Sequence, residues 1–333
     1  MNIRHIIVFM AIMCGGVGLF AAEKSVPTVM RTWQLQPWTG IADTLSMVDT
    51  SYMPSPMRDV LNAYSISNIT NSNIISPSQS RIYFDRDRRA DFIFADAYTP
   101  YIIAPKNVKF YHTTTPYSNV AYKKGFVTDR DQNDISFMFT GNVGMTIDYL
   151  NSYGRFSSQE GKTLFGSVFG SYNGDHYSLH AAFTWNTLNN FENGGLKNPD
   201  DLQGVLEPQD MPVNMQGMSS FRYLSGYLNH YYSICVERER KVNYRERDEE
   251  GKWVKKDSIK IEYVPVTTFR HVFETVDATK RYVEKRANQG YYPNIFRNPT
   301  TTNDSAACLT IKNTLSVTFE EEFNTWLKFG AMV

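Results

Sequence analysis

Cysteine is nearly missing from this chain: three in 333 residues, at Cys14, Cys235 and Cys308. Cys14 falls in an N-terminal apolar run, and the two that remain make no disulfide framework. They can bridge in an oxidising compartment or stay as buried thiols, and the second is the reading adopted. Charge of either sign is not in excess, with 34 basic and 34 acidic residues. Nothing therefore draws the chain to nucleic acid. No His-Glu-x-x-His, Cys-x-x-Cys or Walker-type glycine loop occurs, and Gly15-Gly16-Val17-Gly18 lies inside the N-terminal run. Catalytic, cofactor-binding and metal-ligating residues are accordingly assigned to none, and the chain is read as not an enzyme. Beyond residue 20 no apolar stretch is long enough for a membrane-spanning helix. Helical periodicity is missing too, apart from residues 276–287, where a short helix is expected.

What is present begins with a leader. Arg4 and His5 precede an apolar stretch over residues 6–20, then Ala21-Ala22 and Glu23-Lys24. A basic start, a short apolar run and small residues at its end form a secretory signal peptide, expected over residues 1–22. Met13 stands where lipoprotein processing at Cys14 needs a small residue. Residues 23–90, with Ser/Asn runs such as Ser67-Asn68-Ile69-Thr70-Asn71-Ser72-Asn73, read as an arm of little regular structure.

From about residue 91 the hydrophobic period becomes two. Ile135, Phe137, Phe139, Val143, Met145, Ile147 and Tyr149 alternate with Ser136, Thr140, Asn142, Thr146 and Asp148. Successive strand side chains point to opposite faces, so this pattern writes one apolar wall and one polar wall. Residues 135–149 read as one long strand. Tyr177, Leu179, Ala181, Phe183 and Trp185 alternate with Ser178, His180, Ala182, Thr184 and Asn186. Leu309, Ile311, Leu315, Val317 and Phe319 alternate with Thr310, Lys312, Thr314, Ser316 and Thr318, Asn313 alone breaking the apolar set. Further strands are expected over residues 92–103, 108–122, 163–172, 221–240, 258–275 and 325–333, nine in all.

Connections alternate in length. Asn173-Gly174-Asp175-His176 is a hairpin signal, and Asp248-Glu249-Glu250-Gly251 and residues 320–324 look similarly tight. The links over residues 150–162, 187–220 and 276–307 are long. Short turns on one rim and long loops on the other are characteristic of outer-membrane barrels. Tyr172 and Tyr177 then sit at interface depth. The charged segment over residues 237–256 resists this scheme, because it prolongs a hairpin on the short-turn side.

A secreted β-sandwich that binds or hydrolyses glycans is the competing fold. In a sandwich the apolar face is the core and the other face meets water and carries charge. The polar sets here are mainly Ser, Thr, Asn and His, which suits a crowded lumen better. The barrel is preferred, with outer-membrane lipid and small solutes or ions as partners and oligomerisation with identical chains left open. Other polar clusters read blandly. Asp85, Asp87, Asp91 and Asp96 interleave with Arg81, Arg86, Arg88 and Arg89 as a solvated ion-pair patch. His180 and His230 read as lumen or core residues. Glu192-Asn193-Gly194-Gly195 reads as a tight turn opening a long loop. The alternating charges of residues 237–247 read as cross-strand ion pairs.

The runs Phe92-Ile-Phe-Ala-Asp-Ala-Tyr-Thr-Pro-Tyr101 and Phe110-Tyr-His-Thr-Thr-Thr-Pro-Tyr117 resemble the putative porin family of Bacteroidetes. So do Asp148-Tyr-Leu-Asn-Ser-Tyr-Gly154, Leu164-Phe-Gly-Ser-Val-Phe-Gly-Ser-Tyr172 and Phe191-Glu-Asn-Gly-Gly195. The resemblance implies a transmembrane β-barrel (residues 91–333) in a Gram-negative outer membrane, with passive passage or binding of small solutes and no catalytic residues to carry over. Thr325, Leu327, Phe329, Ala331 and Val333 stop within an alternating run, and nine strands is an odd number where bacterial barrels have even counts. The expectation is a member truncated at its C-terminus.

Overall fold

A computed structural model describes residues 30–36, 39–42, 46–47, 67–70, 73–86, 92–125, 132–204, 206–247, 253–286, 288, 290–291, 298, 300–319 and 329–332. The expected leader and the expected tight turns at 248–251 and 320–324 lie outside them, as do Asp87, Arg88, Arg89 and Asp91.

The alternating sequence folds as an antiparallel meander. Its strands are β6 (Tyr117–Lys124), β7 (Gln132–Thr140), β8 (Val143–Ser152), β9 (Gly161–Asn173), β10 (Tyr177–Glu192), β11 (Gly217–Arg247), β12 (Trp253–Glu284), β13 (Thr302–Phe319) and β14 (Phe329–Met332). They follow β1 (Met30–Trp33), β2 (Ser46–Met47), β3 (Asn68–Thr70), β4 (Ser78–Ser80) and β5 (Phe110–Thr113). Each of the nine strands from β6 to β14 pairs with its neighbour in sequence, the connectivity of an up-and-down barrel. Among the described residues β6 and β14 are the two edges. The 23–90 arm holds more order than expected: β1 pairs with β2 and β5, and β3 with β4.

Four expected elements are corrected. Residues 135–149 are a hairpin, β7 and β8, turning at Gly141-Asn142. The pairing Phe139 to Met145 joins two odd positions, so the alternation passes through the turn without a break. Asn142 consequently sits in the turn, not on a wall. Residues 108–122 divide between β5 in the small sheet and β6 in the large one. Residues 93–101 are a 3-10 helix, and Ala95, Tyr98 and Tyr101 at a spacing of three are buried. That spacing matches three residues per turn, and Pro100 withholds a ladder donor. Residues 276–284 belong to β12 and not to a helix, because Val276 and Ala278 pack inward with the same period of two. Of the expected strand over 325–333, residues 329–332 are described and form β14, and the others lie outside the described residues.

The charged hairpin does project. β11 and β12 stay paired to Arg247–Trp253, whereas β10 begins opposite Tyr232 and β13 ends opposite Thr267. The register shifts between Ile234 and Cys235 where Pro265 enters β12; a bulge accommodates a residue that cannot donate to the ladder. Beyond it Arg238 stands opposite Glu262, and Ile259, Ile261 and Tyr263 are exposed.

The two rims differ as expected. On one lie the turns at 141–142 and 174–176; on the other, the longer links from β8 to β9, from β10 to β11 and from β12 to β13.

Candidate functional site: the covered wall of the sheet

Period-two patterning places two chemically distinct walls on the sheet. One wall is bare, and it is the apolar one: Val143 (65% exposed), Val168 (42%), Phe183 (50%), Leu309 (68%) and Leu315 (60%). Phe137 shares this wall by register with Val120 and Ile147, although its own ring is covered. Tyr172, Tyr177, Tyr232 and Phe269 ring its short-turn end, all exposed. At the other end Arg222 bonds to Asp277 at 3.0 Å, and Arg281 donates to Asn303. From Tyr177 to Thr187 the register advances ten residues, about 25 Å at strand rise and barrel tilt, which matches a membrane-spanning apolar band.

The opposite wall is buried and mixed: polar residues share it with Leu150, Phe165, Phe169, Leu188, Phe221, Tyr223 and Tyr227. Thr140, Thr163, Ser167, Ser178, His180, Thr184, Asn186, Ser225, Asn229 and Ser233 are each almost fully covered. Short hydroxyls bond across strands: Thr146 with Ser167 at 2.8 Å, Thr184 with Ser225 at 2.7 Å, Ser233 with Thr268 at 2.9 Å. What covers this wall is the described part of the chain's own N-terminal arm, between Met30 and Thr113.

The arm is fixed at three heights. At the long-loop rim Asn73 Nδ2 donates to the carbonyls of Ser152 (3.0 Å) and Gln159 (2.9 Å), and Ser152 Oγ donates back to Asn73 Oδ1. Ile75 packs over Gly161, where a Cβ would lie 2.6 Å from it. In the middle the Tyr98 ring stacks on Phe221 at 5.1 Å, and Lys280 Nζ donates to its hydroxyl. Burial and the nearby charge of Glu192 push the Tyr98 phenol above its ordinary range, partly offset by a hydrogen bond with Ser219. The Ile103 amide donates to Asn186 Oδ1 at 2.8 Å. Near the short-turn rim Asn229 Nδ2 donates to the Gly40 carbonyl at 2.8 Å, and Arg270 to the Thr39 carbonyl at 2.7 Å. Arg270 also lies 4.6 Å over the Tyr231 ring. Gly40 has φ +62°, and a Cβ there would meet the Asn229 side chain at 2.8 Å, so glycine is required twice over.

The singled-out residues fall on different parts of this frame. His180 is on the covered wall, 3% exposed, edge-on to Trp33 and Phe110 and stacked on Tyr231, as a lumen or core polar residue. His230 is not: it lies on the bare wall, Nε2 3.0 Å from His271 Nδ1. Asp85 and Asp96 fall in separate 3-10 segments, and Arg86 donates to the Ser80 carbonyl. Glu192 ends β10, and Gly194 and Gly195 turn with φ of +64° and +84°, the tight turn expected. Cys235 and Cys308 are thiols, both half-buried.

Sequence reasoning missed Asn229, Arg270 and Gly40 as the arm's clamp. No local signal marks them, since 189 and 231 residues separate the bonded partners. For the hidden turn at Gly141-Asn142 a signal existed, a glycine-asparagine pair between two alternating runs.

No curated protein and no solved structure matches the chain. A family model described as putative porin matches residues 30–333.

Proposed function

We propose, on the premise that the chain belongs to the putative porin family, that it sits in an outer membrane and gives small solutes or ions passive passage along its polar wall. One observation carries this reading: one wall of the sheet is apolar and bare, while the Ser, Thr and Asn of the strands are buried on the other. A sandwich buries its apolar face against a second sheet, whereas here the apolar set is bare and the Ser/Thr/Asn set is covered. Such inversion suits a solvent of hydrocarbon. Aromatic residues at one end of the band and charges at the other support the same orientation. The short-turn rim then faces the periplasm, and export requires the N-terminal leader to be cleaved.

The arm qualifies the passage. Its aromatic side chains fill part of the interior beside β8 to β12, so solutes pass where arm and wall are apart. Extracted from outer membranes and inserted in planar bilayers, the protein is expected to conduct in discrete steps with weak charge preference. It should also migrate faster on a gel before boiling than after. Silent bilayers with heat-insensitive migration would sink the barrel and its transport role together.

A further inference from the structure

We propose that His230 and His271 form a binding site for a divalent transition-metal ion on the bare wall, at the base of the long hairpin. The two residues are directly opposed on β11 and β12. They lie one same-face position inside the Tyr177, Tyr232 and Phe269 row. Their rings meet edge to face, with His230 Nε2 and His271 Nδ1 3.0 Å apart. A metal–nitrogen bond of about 2.0–2.1 Å places two imidazole nitrogens of one ion roughly 2.9–3.4 Å apart, from square-planar to tetrahedral angles. The spacing therefore fits one ion, provided each ring turns its nitrogen lone pair from its partner toward the metal.

Protonation follows from the third member. His271 Nε2 is 3.2 Å from Asn313 Oδ1, an acceptor, so that nitrogen carries the hydrogen and Nδ1 presents a lone pair. His230 Nε2–H donates to it. When a divalent ion binds, His230 gives up its Nε2 proton and takes one from solvent at Nδ1, so its ring stays neutral, no net proton is released, and both nitrogens present lone pairs to the metal. Asn313 fixes the tautomer of His271 as outer partners of metal-bound histidines do. It also accounts for a polar residue in the apolar set of β13, between Ile311 and Leu315. Among the described residues no third His, Cys, Asp or Glu joins the pair, so solvent oxygens complete the coordination and the ion exchanges readily. Imidazole ligands suit Cu2+, Ni2+ and Zn2+. A bound ion would tie β11 to β12 four residues before the register shift at Ile234 and Cys235.

The full chain in detergent micelles, titrated with Cu2+, tests the site. Electron paramagnetic resonance is expected to show a two-nitrogen species that disappears in His230→Asn and in His271→Asn and persists in His176→Gln. Asn313→Leu, which suits the apolar wall, should weaken binding about tenfold. Should a variant fail to fold, the wild type still reports: Zn2+ should block modification of His230 and His271 by diethyl pyrocarbonate while leaving His176 reactive. A one-nitrogen signal, or a two-nitrogen signal indifferent to both exchanges, overturns the site and leaves the pair a cross-strand hydrogen bond. Headgroup depth rests on the barrel reading, but chelation does not, so conductance and metal binding can fail separately.

Discussion

Asn229 and Arg270 hold a backbone turn rather than a side chain, and this makes their loss specific. Each donates to a carbonyl of the arm, at Gly40 and Thr39. Replacing Arg270 by Ala removes a charge-assisted hydrogen bond and a cation–π contact, together about 2–4 kcal/mol of docking. Cleavage of the arm by a protease added to micelles should accelerate accordingly, with the sheet's amide signals unchanged. Gly40→Ala attacks the same turn from the other side. The strained φ and the contact with Asn229 should cost about 1–3 kcal/mol, read as the same gain in cleavage. Tyr98 adds a pH dependence. Its folded pKa is raised above the ordinary 10.0 by burial and by Glu192. The stabilisation is therefore full below pH 10 and is lost as pH rises toward the folded value. Arm docking should weaken in strong alkali, and Tyr98→Phe should remove that part of the response in an ultraviolet tyrosine titration.

At the scale of elements, the decisive feature is parity. In β9 the odd positions are covered and in β10 the even ones, because Ser178 pairs with Asn173 across the turn. The β7–β8 turn keeps parity instead, which is why it is invisible to a count of alternation. Single cysteines at Val143, Val168 and Phe183 should resist a water-soluble thiol reagent in membranes but react in a lipid-free unfolded chain. Equal labelling at these sites and at exposed loop positions such as Leu202 in intact membranes would refute the lipid-facing wall. Phe183→Arg, midway along the band between the Tyr177 and Thr187 rows, should destabilise insertion by about 2–4 kcal/mol, measured by folding into vesicles.

For the whole molecule, the wall and the arm that covers it form one functional unit. The arm packs its aromatic residues against the apolar residues that the strands place among their buried Ser, Thr and Asn. Trp33, Phe110 and Tyr111 pack with Phe169 and Tyr227 in one cluster, and Tyr98 and Tyr101 with Phe221 and Tyr223 in another. Loosening both clamps, as in Asn229→Ala with Arg270→Ala, is expected to raise single-channel conductance or its open fraction in planar bilayers. Identical conductance in the double variant would place the solute path away from the arm's lower turn.

By itself the sequence determined which residues share a wall, which rim is short, and that a charged hairpin runs past the band. Those properties are local: a period of two, a turn dipeptide and a charge run act within a few residues of chain. The motif at 92–101 carried part of the family resemblance but misled on its own structure, because aromatic-rich runs serve a 3-10 turn and a strand alike. Only the tertiary structure decided what covers the polar wall, that Arg270 and Asn229 face a turn more than 180 residues earlier, and that His230 meets His271 outside. Those outcomes depend on register between strands and on how the arm folds back. Both are set by the sum of many packing contacts, which no single stretch of sequence encodes.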